Sequence, residues 1–102
     1  MTTLSTHVLD AAAGRPAAEL AVALVGPGVT ASASTDQDGR IRWEGDLPEG
    51  TYALRFETGT WFEAAGRPTF YPQVDLTVTV AGEHVHVALL LSPFAYTTYK
   101  GS

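Results

Sequence analysis

Turn-forming residues interrupt this chain about every ten positions, which leaves room between them only for short strands or a helical turn or two. Gly14-Arg15-Pro16, Gly26-Pro27-Gly28 and Asp36-Gln37-Asp38-Gly39 are the clearest breaks. Between and after them lie eight strand candidates: Leu4–Asp10, Leu20–Val25, Thr30–Thr35, Arg40–Trp43, Thr51–Thr58, Val74–Val80, His84–Leu91 and Tyr96–Lys100. Val74–Val80 alternates cleanly, with Val74, Leu76, Val78 and Val80 on one face and Asp75, Thr77 and Thr79 on the other. Thr60–Ala65 is the one helix candidate, and a helix that short needs tertiary support. The pattern predicts an antiparallel sandwich or barrel in a single domain spanning residues 1–102.

Composition removes several function classes. With no cysteine, thiolate metal sites, disulfides and cysteine nucleophiles are excluded. Eleven acids against six bases give a net charge of −5, so no nucleic-acid partner is expected. No run approaches the ~18 apolar residues of a membrane span, and Met1–His7 lacks the basic and apolar regions of a leader peptide. The expectation is a cytoplasmic protein with no membrane partner.

Chemistry must then come from few residues. The only histidines are His7, His84 and His86. Strand parity places His84, His86, Ala88 and Leu90 on one face, opposite Val85, Val87, Leu89 and Leu91. It likewise places Ser5, His7 and Leu9 opposite Leu4 and Val8. If the valines point inward, His7 and His86 project from the outer face and converge where their strands share a sheet. Each histidine taken singly also reads as a solvated surface residue. His84 and His86 have metal-chelating spacing but no third ligand at a recognisable distance, so no metal is expected. Ser5 beside His7 has no nucleophile-elbow context, so no serine triad is supported. Arg40, in the turn after Asp38-Gly39, reads locally as a solvated residue.

Five segments in order resemble one family. Thr6-His7-Val8-Leu9-Asp10, with Gly14-Arg15-Pro16-Ala17, is similar to the opening signature of the transthyretin-like family. His86-Val87-Ala88-Leu89-Leu90-Leu91-Ser92-Pro93-Phe94 is similar to its closing signature. Asp38-Gly39-Arg40, Gly50-Thr51-Tyr52 and Phe70-Tyr71-Pro72 fall between them in the family order. The resemblance implies an all-β, eight-stranded antiparallel β-sandwich of the transthyretin (prealbumin) type with one short helix. It also implies a homotetramer, a dimer of dimers, with sites in the channel between dimers.

Within that family, His7, Arg40 and His86, with the tail Tyr99-Lys100-Gly101-Ser102, resemble the hydrolytic branch rather than the hormone carriers. Lys100 departs from the arginine usual at that position and by parity points away from Tyr99 and Gly101. The activity implied is hydrolysis of 5-hydroxyisourate, a cyclic amide in urate catabolism, without a cofactor. His7, Arg40, His86 and Ser102 are the implied catalytic residues; Leu90, Tyr99 and Gly101 are the implied substrate contacts. His7 is the first choice for activating water, with His86 as its partner and Arg40 as the group that meets developing negative charge. The alternative is a sandwich that carries a small ligand in the same channel without chemistry.

Overall fold

The computed structural model describes all residues from Met1 to Ser102. Nine strands and one helix follow in order: β1 (Thr3–Asp10), β2 (Arg15–Pro16), β3 (Ala21–Gly26), β4 (Val29–Ser34), β5 (Arg40–Arg42), β6 (Gly50–Phe56), α1 (Thr58–Ala64), β7 (Val74–Val80), β8 (His84–Ser92) and β9 (Ala95–Gly101). They form two sheets. One runs β2-β1-β8-β9, with β5 also pairing to β1; the other runs β4-β3-β6-β7. Because β2 meets Leu9 and Asp10 while β5 meets Ser5, Thr6 and His7, the two short strands share one edge of β1. Both sheets are thus four strands wide.

The alternation read from the sequence sets which side faces the core. Leu4 and Val8 of β1, Val85, Val87, Leu89 and Leu91 of β8, Leu54 and Phe56 of β6, and Val74, Leu76 and Val80 of β7 are buried between the sheets. Thr6 also points inward. Its hydroxyl donates to the Val87 carbonyl at 2.7 Å, which satisfies the one polar group among these inner positions of β1 and β8 other than Asp10.

The sandwich holds, with three differences from the expected elements. First, it is not antiparallel throughout: β1 and β8 run parallel, register Thr3↔His84 to Asp10↔Leu91, while every other strand pair is antiparallel. The chain crosses from β7 in one sheet to β8 in the other, so no hairpin fixes that pair's direction. Second, Gly14-Arg15-Pro16, read as a break, supplies strand β2. Third, the helix begins at Thr58 rather than Thr60 and takes over the end of the expected strand Thr51–Thr58, which forms β6 only as far as Phe56. Long-range bonds shift that boundary. Glu57 N–H donates to the Ala21 carbonyl and closes the ladder, Gly59 N–H donates to the Pro72 carbonyl, and Thr58 Oγ1 donates to the Tyr71 carbonyl. Tertiary contacts also hold the short helix, through the buried Phe62 and through Trp61 Nε1 donating to the Ala18 carbonyl at 2.7 Å.

Candidate active site

The parallel register aligns the outer faces of β1 and β8 rung by rung. Thr3 pairs with His84, Ser5 with His86, and His7 with Ala88. On the far side of β1, β5 pairs Arg40 with His7 and Arg42 with Ser5. On the far side of β8, β9 pairs Gly101 with His86 and Tyr99 with Ala88. Residues paired across a ladder share a face. Four adjacent strands therefore contribute Arg40, His7, His86 and Gly101 to one patch.

Each side chain is held by local structure. Arg40 follows a tight turn in which Asp36 Oδ1 accepts from the Asp38 N–H at 2.9 Å and the Arg40 N–H at 3.0 Å. Gly39 in that turn has φ +76°, and a Cβ there would collide with the Val8 carbonyl. Only glycine lets the turn lie against β1 and present Arg40 beside His7. Gly101 has the matching role on the other side. A Cβ there would strike Cδ2 of His86 and lie 3.2 Å from its Cγ, so the imidazole rests over bare backbone.

The His7 and His86 rings lie 6.5 Å apart between centroids, at 47°. That spacing admits a water or a substrate atom between them. His86 is half-buried, and Ser5 Oγ lies 2.7 Å from its Nδ1. Ser5 Oγ is also 3.0 Å from His84 Nε2, and Thr3 Oγ1 is 2.6 Å from His84 Nδ1. Burial, followed by the positive charges of His7, Arg40 and His84, holds His86 below the ordinary histidine range. It is therefore a neutral imidazole at neutral pH.

A cleft of about 420 Å³ opens on this face, lined by Ser5, Asp36, Arg40, Arg42, His86 and Ser102 among others. The two intramolecular ion pairs of the protein, Arg55–Asp75 and Arg67–Asp10, lie elsewhere, so Arg40 and Arg42 have no carboxylate partner. An acidic protein thus presents free cationic charge at one polar cleft. No group of three His, Asp or Glu side chains is placed to hold a metal ion.

Of the residues the resemblance implies, Arg40, His86 and Ser102 line this cleft, while His7 and Gly101 lie on the same sheet face beside His86 without lining it. Leu90 and Tyr99 do not reach this cleft within one chain. Leu90 lines a separate hollow with Leu9, Arg15 and Pro16, and Tyr99 borders an apolar cleft with Val78, Thr98 and Lys100 that His86 lines from its other side. Lys100 pairs with Val87 and so lies on the opposite face from His86, as parity requires. Ser5, His84, Arg42 and Asp36 were not singled out for the site by the sequence. Strand parity already put Ser5 with His7 and His84 with His86; the missing information was that β1 and β8 are neighbours.

Known proteins share this fold. The family model described as HIUase/Transthyretin family matches residues 4–101. A probable 5-hydroxyisourate hydrolase of Schizosaccharomyces pombe is 39% identical, the match covering 97% of this chain and 90% of that protein. The solved 5-hydroxyisourate hydrolase of Klebsiella pneumoniae superposes with a TM-score of 0.93 at 39% identity and full coverage of both chains. Sea bream transthyretin in complex with thyroxine superposes at 0.83 with 30% identity, covering 96% of this chain and 93% of that one. No helix is long and apolar enough to cross a membrane.

Proposed function

The chain belongs to the HIUase/Transthyretin family, and we propose that it hydrolyses 5-hydroxyisourate to 2-oxo-4-hydroxy-4-carboxy-5-ureidoimidazoline in urate catabolism. Curated relatives named 5-hydroxyisourate hydrolase, at about 40% identity over nearly the whole chain, support this reading. So does the likeness to the Klebsiella enzyme. The observation that carries it is the convergence of two histidines and an unpaired arginine on one sheet face. A thyroxine-type carrier has no need of a neutral imidazole beside a free guanidinium.

Opening a cyclic amide requires a proton taken from water, charge stabilised on the tetrahedral oxygen, and a proton given to the departing nitrogen. The neutral imidazole of His86 takes the water proton. Water attacks the carbonyl carbon, the C–N bond of the ring breaks, and a carboxylate forms. His7, across the 6.5 Å gap, supplies the proton to nitrogen. This reverses the roles first assigned to the two histidines, because it is His86 whose proton affinity is held down. Arg40 pairs with the oxyanion through a permanently charged fork. Ser102 borders the cleft and positions substrate or water. Leu90 would contact substrate across an interface between subunits, and Tyr99 borders the neighbouring cleft that shares His86. The exposed edge strand β9, with Tyr96 and Tyr99 on its surface and the exposed Phe94 just before it, suits pairing with a second copy, in keeping with a homotetramer.

The direct test is the absorbance decay of freshly generated 5-hydroxyisourate with purified protein, set against a no-enzyme control. Decay faster than the spontaneous rate is expected, and an equal rate would remove the hydrolase reading in favour of a carrier.

Arg40 offers a second test with two readouts. Arg40→Gln is expected to lower kcat/KM by about 10²–10³-fold through loss of an oxyanion partner. It should also move the acid limb of the profile. Neutral His86 is the active form, and Arg40 is one of the charges that hold its pKa down. In the wild type the limb therefore falls below the ordinary value of about 6.5, and removing the positive charge raises it. A limb that stays in place, or moves to lower pH, would take Arg40 out of the electrostatics of His86.

A further inference from the structure

A continuous line of hydrogen bonds runs along the β1–β8 seam and ends at the His86 ring. Thr3 Oγ1 donates to the Glu83 carbonyl at 3.2 Å and lies 2.6 Å from His84 Nδ1. Ser5 Oγ lies 3.0 Å from His84 Nε2 and 2.7 Å from His86 Nδ1. A hydroxyl has one proton, and a neutral imidazole has one donor and one acceptor nitrogen. Two opposite directions satisfy the line, and placing the Thr3 proton on the Glu83 carbonyl, the only partner there that cannot donate, selects one. With its proton on the Glu83 carbonyl, Thr3 accepts from His84 Nδ1–H. His84 Nε2 is then an acceptor and takes the Ser5 proton. Ser5 must accept from His86 Nδ1–H, which leaves the lone pair of His86 on Nε2.

We propose that Thr3, His84 and Ser5 act as positioning residues that fix His86 in the tautomer protonated at Nδ1, with Nε2 as the proton acceptor at the cleft. The inference rests on the hydrolase reading only for its catalytic consequence; the tautomer itself does not depend on it. A free neutral histidine side chain prefers its proton on Nε2, so the relay imposes the less common form, the one a general base requires in this orientation. The same line spreads the acquired charge. When Nε2 takes a proton from water, the Nδ1 proton passes to Ser5 Oγ and the Ser5 proton passes to His84 Nε2, so the charge rests on the exposed His84. The shift runs back and Nε2 gives up its proton at the cleft before the next turnover, which restores the Nδ1–H form. The other charged and titratable groups around the pair are His7 from β1, Arg40 and Arg42 from β5, Asp36 from the turn before β5, and Glu83 beside His84.

Ring ¹⁵N spectra of histidine-labelled protein, recorded above the titration of His86, read the tautomer directly. The wild type is expected to show His86 protonated at Nδ1, and Ser5→Ala to return it to Nε2. In the hydrolysis assay Ser5→Ala should lower kcat about 10- to 100-fold with KM little changed, and Ser5→Thr, which keeps the hydroxyl, should restore most of the rate. A wild-type His86 protonated at Nε2, or a Ser5→Ala variant with unchanged tautomer and kcat, would overturn the relay. A wild type that binds but does not hydrolyse the substrate would instead overturn the hydrolase reading, and the spectra would still decide the relay.

Discussion

His86→Ala is expected to lower kcat for 5-hydroxyisourate hydrolysis by about 10²–10⁴-fold, the usual contribution of a positioned general base. The effect should fall mainly on kcat, because Arg40, Arg42 and Ser102 still line the cleft and hold substrate. The fold should survive. His86 is on the outer face of β8, outside the cluster between the sheets, and its nearest cover is the backbone of Gly101. Far-UV circular dichroism and a thermal melt close to wild type would establish that. Because the substrate decays by itself, the variant rate is read as the excess over the uncatalysed rate. His86→Gln separates two contributions: it restores a polar contact toward Ser5 but no group that titrates near neutrality, so it should be as inactive as His86→Ala. Wild-type turnover in either variant would remove His86 as the base and return that role to His7.

Much of this site was legible in the sequence because strand parity is local information. The alternation in Leu4–Asp10 and His84–Leu91 is enough to say that His7 and His86 leave the core. It could not say that the two strands are neighbours, nor that they run parallel, since that pairing joins residues some eighty positions apart with no hairpin between them. The resemblance supplied Arg40, whose turn looks unremarkable until Gly39 is seen to press on the Val8 carbonyl. The Thr3–His84–Ser5–His86 line was out of reach for the same reason as the pairing. It depends on the rung-by-rung register, and a one-residue slip would turn Ser5 into the core. The helix start was missed because Glu57 and Thr58 continue the strand alternation, while hydrogen bonds to Ala21 and Tyr71 decide their conformation.

The same blindness to distant partners hides a buried ion pair, between Asp10 at the end of β1 and Arg67 just after α1. Asp10 is 1% exposed in its side chain and Arg67 27%, with Nη1 2.6 Å from Oδ2. Arg67→Ala should destabilise the fold by about 3 kcal/mol, the lower end of the range for stripping a buried charge of its partner, since Arg67 is partly solvated. At about 4–8 °C per kcal/mol for a domain this size, the melt should fall by more than about 10 °C. Part of that loss is packing, because the guanidinium also lies 4.8 Å from the centre of the Phe62 ring. Acid separates the two contributions. Burial by itself raises the Asp10 pKa, but the hydrogen bond from Arg67, the Ala13 N–H, the Arg67 charge and the Ala12 N–H together outweigh it and hold the carboxyl below its usual value. A folded-state pKa below the unfolded one stabilises above about pH 3.9, and that stabilisation disappears as the pH falls through the folded value. In Arg67→Ala the burial remains and the arginine's contributions do not, so the folded carboxyl titrates higher and protonation relieves the buried charge. Wild type loses stability in acid where the variant loses less. Urea unfolding at neutral pH and at about pH 3 should therefore show the gap between them narrowing. A gap of equal size at both pH values would assign the whole effect to packing on Phe62 and leave the ion pair without a net role.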